Sequence, residues 1–180
     1  MEIPNTVKVL DVGCGRDKYE GAIGIDDNSR TAADVIHDLN SFPWPFEDNQ
    51  FEMVICSHIL EHLNEPYMVL EEIHRICLPN AVVSISAPYF SSFEAYSDLS
   101  HKHFFTSRTF MFFEEGKYNF HTKEGLFSLE DVHLDFHKLR GIEKLLGIEF
   151  IINRFLKFYE TFFAWVFPGN NIHYKLRVKK

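Results

Sequence analysis

Two short stretches concentrate side chains able to move a proton or hold an ion: His58-Ile59-Leu60-Glu61-His62 and Ser100-His101-Lys102-His103. An imidazole titrates near a pKa of about 6.5, so at neutral pH it can take a proton from a hydroxyl or an amine. His101 is the first candidate base, with Glu61, His62 and His103 behind it. In extended chain His101 and His103 would point to the same side, which suits a metal pair, a general base or a polar loop alike. The order His58, Glu61, His62 also matches His-x-x-Glu-His, the spacing that sets two imidazoles and a carboxylate on one helix turn around zinc. No third ligand follows in a matching context, so no metal is expected. The alternative packs His58 against a bound ligand and places His62 at a helix start, with Glu61 or His62 facing a substrate.

A second group of chemistry-bearing residues stands at the ends of apolar runs. Val7-Lys8-Val9-Leu10-Asp11-Val12-Gly13-Cys14-Gly15 reads as a buried parallel strand that ends in a turn with a bare backbone. Glycine there admits positive φ and lets a ligand approach main-chain N–H groups. Ala22-Ile23-Gly24-Ile25-Asp26 repeats the pattern, and so does Ala33-Asp34-Val35-Ile36-His37 followed by Asp38-Leu39. A carboxylate at a strand's C-terminal edge is placed to accept hydrogen bonds from ribose hydroxyls, the role expected of Asp26. Taken alone, each acid also fits a turn or a helix cap.

The elements that must position these groups follow a strand and crossover rhythm. Arg16 to Gly21 is too short for a full crossover helix, so the first crossover is abbreviated. Phe42-Pro43-Trp44-Pro45-Phe46 holds two prolines and reads as an irregular aromatic loop. Phe51 to Ser57 is a strand, Pro66 to Cys77 a helix with one apolar stripe, Leu78-Pro79-Asn80 a turn, and Ala81 to Ala87 a strand. Phe127 to Leu139 alternates as a strand with one buried face, and Ile172 to Val178 is the final strand. Between these last two, Phe150 to Phe167 reads as a helix whose polar residues Asn153, Arg154, Lys157, Glu160 and Thr161 leave one narrow wet face. Its wide apolar face needs a cover from the chain itself, from a second copy, or from a membrane surface.

Composition limits the partners. A chain of 180 residues that is 46% hydrophobic suits one domain with a sizeable core. The net charge of −8 argues against a nucleic-acid surface and disfavours, without excluding, an anionic membrane. Cys14, Cys56 and Cys77 are odd in number and show no Cys-x-x-Cys spacing, which fits a reducing, cytoplasmic setting. The start, Met1-Glu2-Ile3-Pro4-Asn5, lacks a signal pattern, and no apolar run reaches the roughly 20 residues of a membrane span.

The ordered set of Val9 to Gly15, Gly24-Ile25-Asp26, His37-Asp38-Leu39, Phe51 to Leu63 and Ala81 to Pro88 resembles the class I S-adenosylmethionine-dependent methyltransferases over roughly residues 7 to 110. The resemblance implies an α/β fold, Rossmann-like and doubly wound, with a mostly parallel seven-stranded sheet and an antiparallel last strand. Residues 1–180 would then form one domain: a cofactor-binding half over 1–88, and an acceptor side with a C-terminal helical insertion over 89–180.

The same resemblance assigns roles. Gly13, Cys14 and Gly15 would line S-adenosylmethionine by backbone, with Asp11 near its amino acid end. Asp26 would hold the ribose, Asp38 the adenine amino group and the backbone of Leu39 the ring, while Ser57 and His58 would close the pocket. His101 and its neighbours would border a small-molecule, or lipid- or glycan-linked, acceptor. The chain departs from the family at Asp17, where a third glycine is common. Two other readings fit less of the pattern: a non-catalytic cofactor-binding or scaffold subunit that activates a partner, and a nicotinamide oxidoreductase, which the close spacing of Asp11 and Asp26 opposes.

Overall fold

A computed structural model describes residues 8–113, 125–136 and 147–180. Val7 at the start of the first expected strand, residues 137–139 at the end of the strand expected over 127–139, and the N-terminal residues 1–5 lie outside them. Seven strands form one sheet: β1 (Val9–Val12), β2 (Ile23–Asp26), β3 (Val35–Ile36), β4 (Phe51–Ser57), β5 (Cys77–Pro88), β6 (Phe127–Leu134) and β7 (Asn171–Val178). Their order is β3-β2-β1-β4-β5-β7-β6. β1 to β5 pair in parallel, and β7 runs antiparallel to both β5 and β6. The fold is the expected α/β sheet with an antiparallel last strand.

β1 is buried at every position, as a central parallel strand covered on both faces must be. Between β1 and β4 the chain forms only turns and short strands, so the abbreviated first crossover carries no helix. The aromatic loop takes over a helix's covering role. Trp44 is 2% exposed and packs in the core with Leu39, while Phe42, Phe46 and Val35 close around it. Helix α1 (Pro66–Ile76) then buries Val69, Leu70, Ile73 and Ile76 against the sheet.

Two expectations about the later chain change. The turn expected at Leu78-Pro79-Asn80 lies within β5: its pairing with β4 jumps from Phe51↔Cys77 to Met53↔Val82, and this irregularity takes up the extra residues, with Asn80 at φ 64.

The helix expected over 150–167 is two short helices, α3 (Ile148–Arg154) and α4 (Leu156–Phe162), broken at Phe155 with φ −124 and ψ 38. The polar residues Asn153 and Glu160 turn inward. Asn153 accepts from the Leu134 N–H and donates to the Leu134 carbonyl, docking α3 on the edge strand. Glu160 accepts from the Ser107 N–H, the Ser107 hydroxyl and the Tyr89 hydroxyl. Meeting these bonds rotates the apolar residues outward, so Phe158 and Trp165 are 58% and 68% exposed instead of buried. Among the described residues no helix is long and apolar enough to cross a membrane.

Candidate functional site

The expected cofactor residues gather at the C-terminal edge of β1, β2 and β4. Gly13 and Gly15 both take positive φ, 66 and 57 degrees, yet they do different work. A Cβ on Gly13 would fall 2.4 Å from Ile59 Cγ1, so the loop is bare there to let Ile59 pack on it. Nothing lies within 4 Å of the same point on Gly15, where the main chain faces open space. Cys14 turns its sulfur inward toward Gly24, and burial with the nearby Asp11 and Asp26 pushes its thiol up to about 11. Its contribution at this edge is therefore its backbone.

The acids are fixed by the loop's own N–H groups. Asp26, 8% exposed, accepts from Gly15 N at 3.0 Å on one oxygen and from Asn28 N at 2.9 Å on the other. A carboxylate offers about four lone-pair sites, so each oxygen keeps room for a further donor. Asp11 accepts from Tyr19 N at 2.8 Å, and burial raises its carboxyl above the ordinary range. Asp38 accepts from Asn40 N at 2.9 Å and Ser41 Oγ at 2.8 Å, bonds that hold its exposed carboxyl below that range. The Leu39 side chain is in the core, and its carbonyl accepts from Trp44 Nε1 at 3.3 Å. Asp34 is a residue the pattern of strand-end acids did not single out. It clamps the loop through Gly24 N at 2.7 Å and Lys18 Nζ at 2.6 Å.

At the end of β4, Ser57 is exposed and His58 bends the chain with φ 52, its N–H donating to the Ser86 carbonyl of β5 at 2.9 Å. Residues 58–62 form a turn, closed by His62 N on the Ile59 carbonyl at 3.0 Å, and α1 begins only at Pro66 after Glu65. His62 is thus not the helix start, and His58 and His62 do not share a helix face. His58 instead pairs with Glu61, Nδ1 to Oε1 at 3.3 Å, and this carboxylate raises its pKa. Glu61 is 1% exposed, and beyond this long contact with His58 its carboxylate oxygens have no hydrogen-bond partner.

The loop carrying the second histidine cluster folds over this turn. Lys102 N donates to the Glu61 carbonyl at 2.7 Å and Lys102 Nζ to Asn64 at 2.7 Å. His101 meets His62 edge to face with ring centres 4.7 Å apart, and Glu61, His62 and His101 bring one donor atom each to within 4.8 Å of the others. His103 is not among them: its Nε2 donates to the Leu63 carbonyl at 2.9 Å and anchors the loop.

Asp98 and Ser100, absent from the expected site, orient His62. Asp98 is held ionised by the Ser100 hydroxyl and N–H. The Ser100 proton points to Asp98 at 2.6 Å, so Ser100 Oγ accepts from His62 Nδ1 at 2.8 Å. The His101 Nδ1–H donates to the Ala95 carbonyl at 3.1 Å, which can only accept. In the neutral form of each ring the lone pair therefore lies on Nε2. The signal was present in Asp98-x-Ser100, an Asx turn just before a histidine.

Residues 10–85 match the family described as "Methyltransferase domain". No curated protein matches the chain in sequence. Among solved structures, a SAM-dependent methyltransferase from Archaeoglobus fulgidus superposes with a TM-score of 0.63 at 20% identity, over 95% of this chain and 86% of that one. An S-adenosylmethionine-dependent methyltransferase from Mesorhizobium loti gives a TM-score of 0.61 at 12% identity, over 97% and 93%. The [4+2]-cyclase SpnF gives 0.60 at 15% identity, over 96% and 74%, so this fold also carries other chemistry. The matched stretch runs from β1 into β5, where the glycine loop and the strand-end acids lie, so this part of the chain is similar to methyltransferase domains and the sheet has the fold of the S-adenosylmethionine-dependent methyltransferases.

Proposed function

We propose that the chain transfers a methyl group from S-adenosylmethionine to a small, or lipid- or glycan-linked, acceptor at the edge formed by β1, β2 and β4. Asp26 carries the proposal: a buried carboxylate, fixed by two N–H donors, with a lone pair free on each oxygen beside the open backbone of Gly15. That acceptor pair suits a vicinal diol. Gly13, Cys14 and Gly15 would line the cofactor by main chain, with Asp11 near its amino acid end. Asp38 and the Leu39 N–H would take the adenine, and Ser57 and His58 would close the pocket.

When bound, S-adenosylmethionine supplies a methyl group already made electrophilic by the sulfonium. The protein then has to hold an acceptor lone pair in line with it and, for a hydroxyl or amine, accept a proton. His101 and His62 fit this task because the hydrogen bonds at Nδ1 put the lone pair of the neutral ring on Nε2. Glu61 supports them with negative charge, and His103 holds the loop that carries His101. General base catalysis contributes typically 10²- to 10⁴-fold. Once an acceptor is found by screening for S-adenosylhomocysteine release, His101→Ala is expected to lower kcat by about 100-fold with little change in cofactor affinity. Unchanged kcat would remove His101 from the reaction.

A second copy of this chain is proposed to cover the apolar face over residues 150–167. Its support is the breadth of the exposed apolar face together with the chain's net charge of −8, which weakens attraction to an anionic membrane.

A further inference from the structure

We propose that Glu61, His62 and His101 form a three-ligand site for a first-row divalent metal ion. His-x-x-Glu-His lacked a third ligand in the sequence. The fold supplies it from another segment, since the loop after α2 (Glu94–Ser97) brings His101 across to Glu61 and His62 and leaves His58 outside the trio.

Three observations carry the site. Glu61 is 1% exposed, its Oε1 meets only His58 Nδ1 in a long ion pair of 3.3 Å and its Oε2 has no partner, so the buried carboxylate keeps lone pairs for a further cation. The Nδ1 hydrogen bonds put the lone pair of each neutral imidazole on Nε2, and the three side chains bring one ligand atom each to within 4.8 Å of the others. The locking bonds are those seen behind metal-bound histidines: a backbone carbonyl behind His101, and a hydroxyl backed by a carboxylate behind His62.

Two imidazole nitrogens and one carboxylate oxygen suit zinc and its first-row neighbours better than magnesium, which prefers oxygen ligands in octahedral geometry. Ligands of a tetrahedral ion stand roughly 3.4 Å apart, so closing atoms now within 4.8 Å asks for about 1 Å of side-chain rotation. Three protein ligands leave a position open, and an acceptor hydroxyl bound there would lose its proton more readily; with the ion in place His62 and His101 would act as its ligands, and the ion would take over the activation otherwise given to their lone pairs. This last step rests on the methyl-transfer reading; the metal site does not.

The test uses the full chain stripped with chelator and titrated with Co(II), followed by visible absorption and by displacement with Zn(II). Wild type is expected to take up one equivalent with the intense bands of low coordination number, and Zn(II) to abolish them. Glu61→Gln and His101→Ala should each weaken binding at least 10-fold, with thermal unfolding and S-adenosylmethionine calorimetry confirming an intact fold. If Glu61→Gln does not fold, His101→Ala, at a half-buried loop position, carries the comparison alone. Absence of saturable binding to wild type, or variants that bind as wild type does, would overturn the proposal. Metal uptake without S-adenosylmethionine binding would sustain the site and refute the methyl-transfer reading; cofactor binding without metal uptake would do the reverse.

Discussion

Gly13 and Gly15 look interchangeable in the sequence, but their surroundings separate them. Gly15 borders open space, whereas Gly13 lies under Ile59, with three Ile59 carbons between 2.4 and 2.8 Å from where a Cβ would stand. Gly13→Ala meets both the left-handed backbone penalty and a clash, and is expected to lower unfolding free energy by roughly 2 to 5 kcal/mol in chemical denaturation. Gly15→Ala meets only the backbone penalty of about 1 to 2 kcal/mol, and a variant as stable as wild type at Gly13 would contradict this division. The sequence showed that the loop needed glycine; it could not show that a side chain 46 residues away, Ile59, was one reason. The acids were legible because the pattern of an apolar run followed by a carboxylate recurs at Asp11, Asp26 and Asp38, although each alone also fits a turn or a cap. The grouping of Glu61, His62 and His101 was not, because it depends on how one loop lies over another.

The aromatic loop between β3 and β4 replaces a crossover helix, and one cation holds it to α1. Arg75 bonds both oxygens of Glu72, at 3.0 and 2.6 Å, reaches Asp48 at 2.6 Å and donates to the Trp44 and Phe46 carbonyls. Glu72 in turn accepts from Trp44 N at 2.7 Å and is 6% exposed. Removing the guanidinium strands a buried carboxylate, so Arg75→Ala is expected to cost about 3 to 5 kcal/mol. Calorimetric unfolding would read this as a lower Tm, and a shift within error of wild type would show that the loop stands without its clamp. At this scale the strands and α1 could be read from apolar period and proline position. The split of the 150–167 helix could not, because it follows from two tertiary demands, Asn153 on Leu134 and Glu160 on Ser107, that outweigh helical amphipathicity.

Across the whole molecule, one acidic chain combines an edge suited to a nucleoside with an uncovered apolar face on α3 and α4. Phe150, Phe155, Phe158, Phe162, Trp165 and Phe167 are each at least 58% exposed, a patch that soluble monomers rarely leave bare. Sedimentation equilibrium is expected to show a dimer for wild type and a monomer for the pair Phe158→Ser and Trp165→Ser; a monomeric wild type would exclude a second copy as the cover. The central claim concerns the other end of the sheet, where Gly15 and Asp26 are proposed to hold S-adenosylmethionine. Calorimetry with S-adenosylmethionine on wild type and Asp26→Asn tests it most directly. One-to-one binding that weakens at least 10-fold in the variant, about 1.4 kcal/mol, is the expected result. No heat with wild type, or equal affinity for the two proteins, would contradict it.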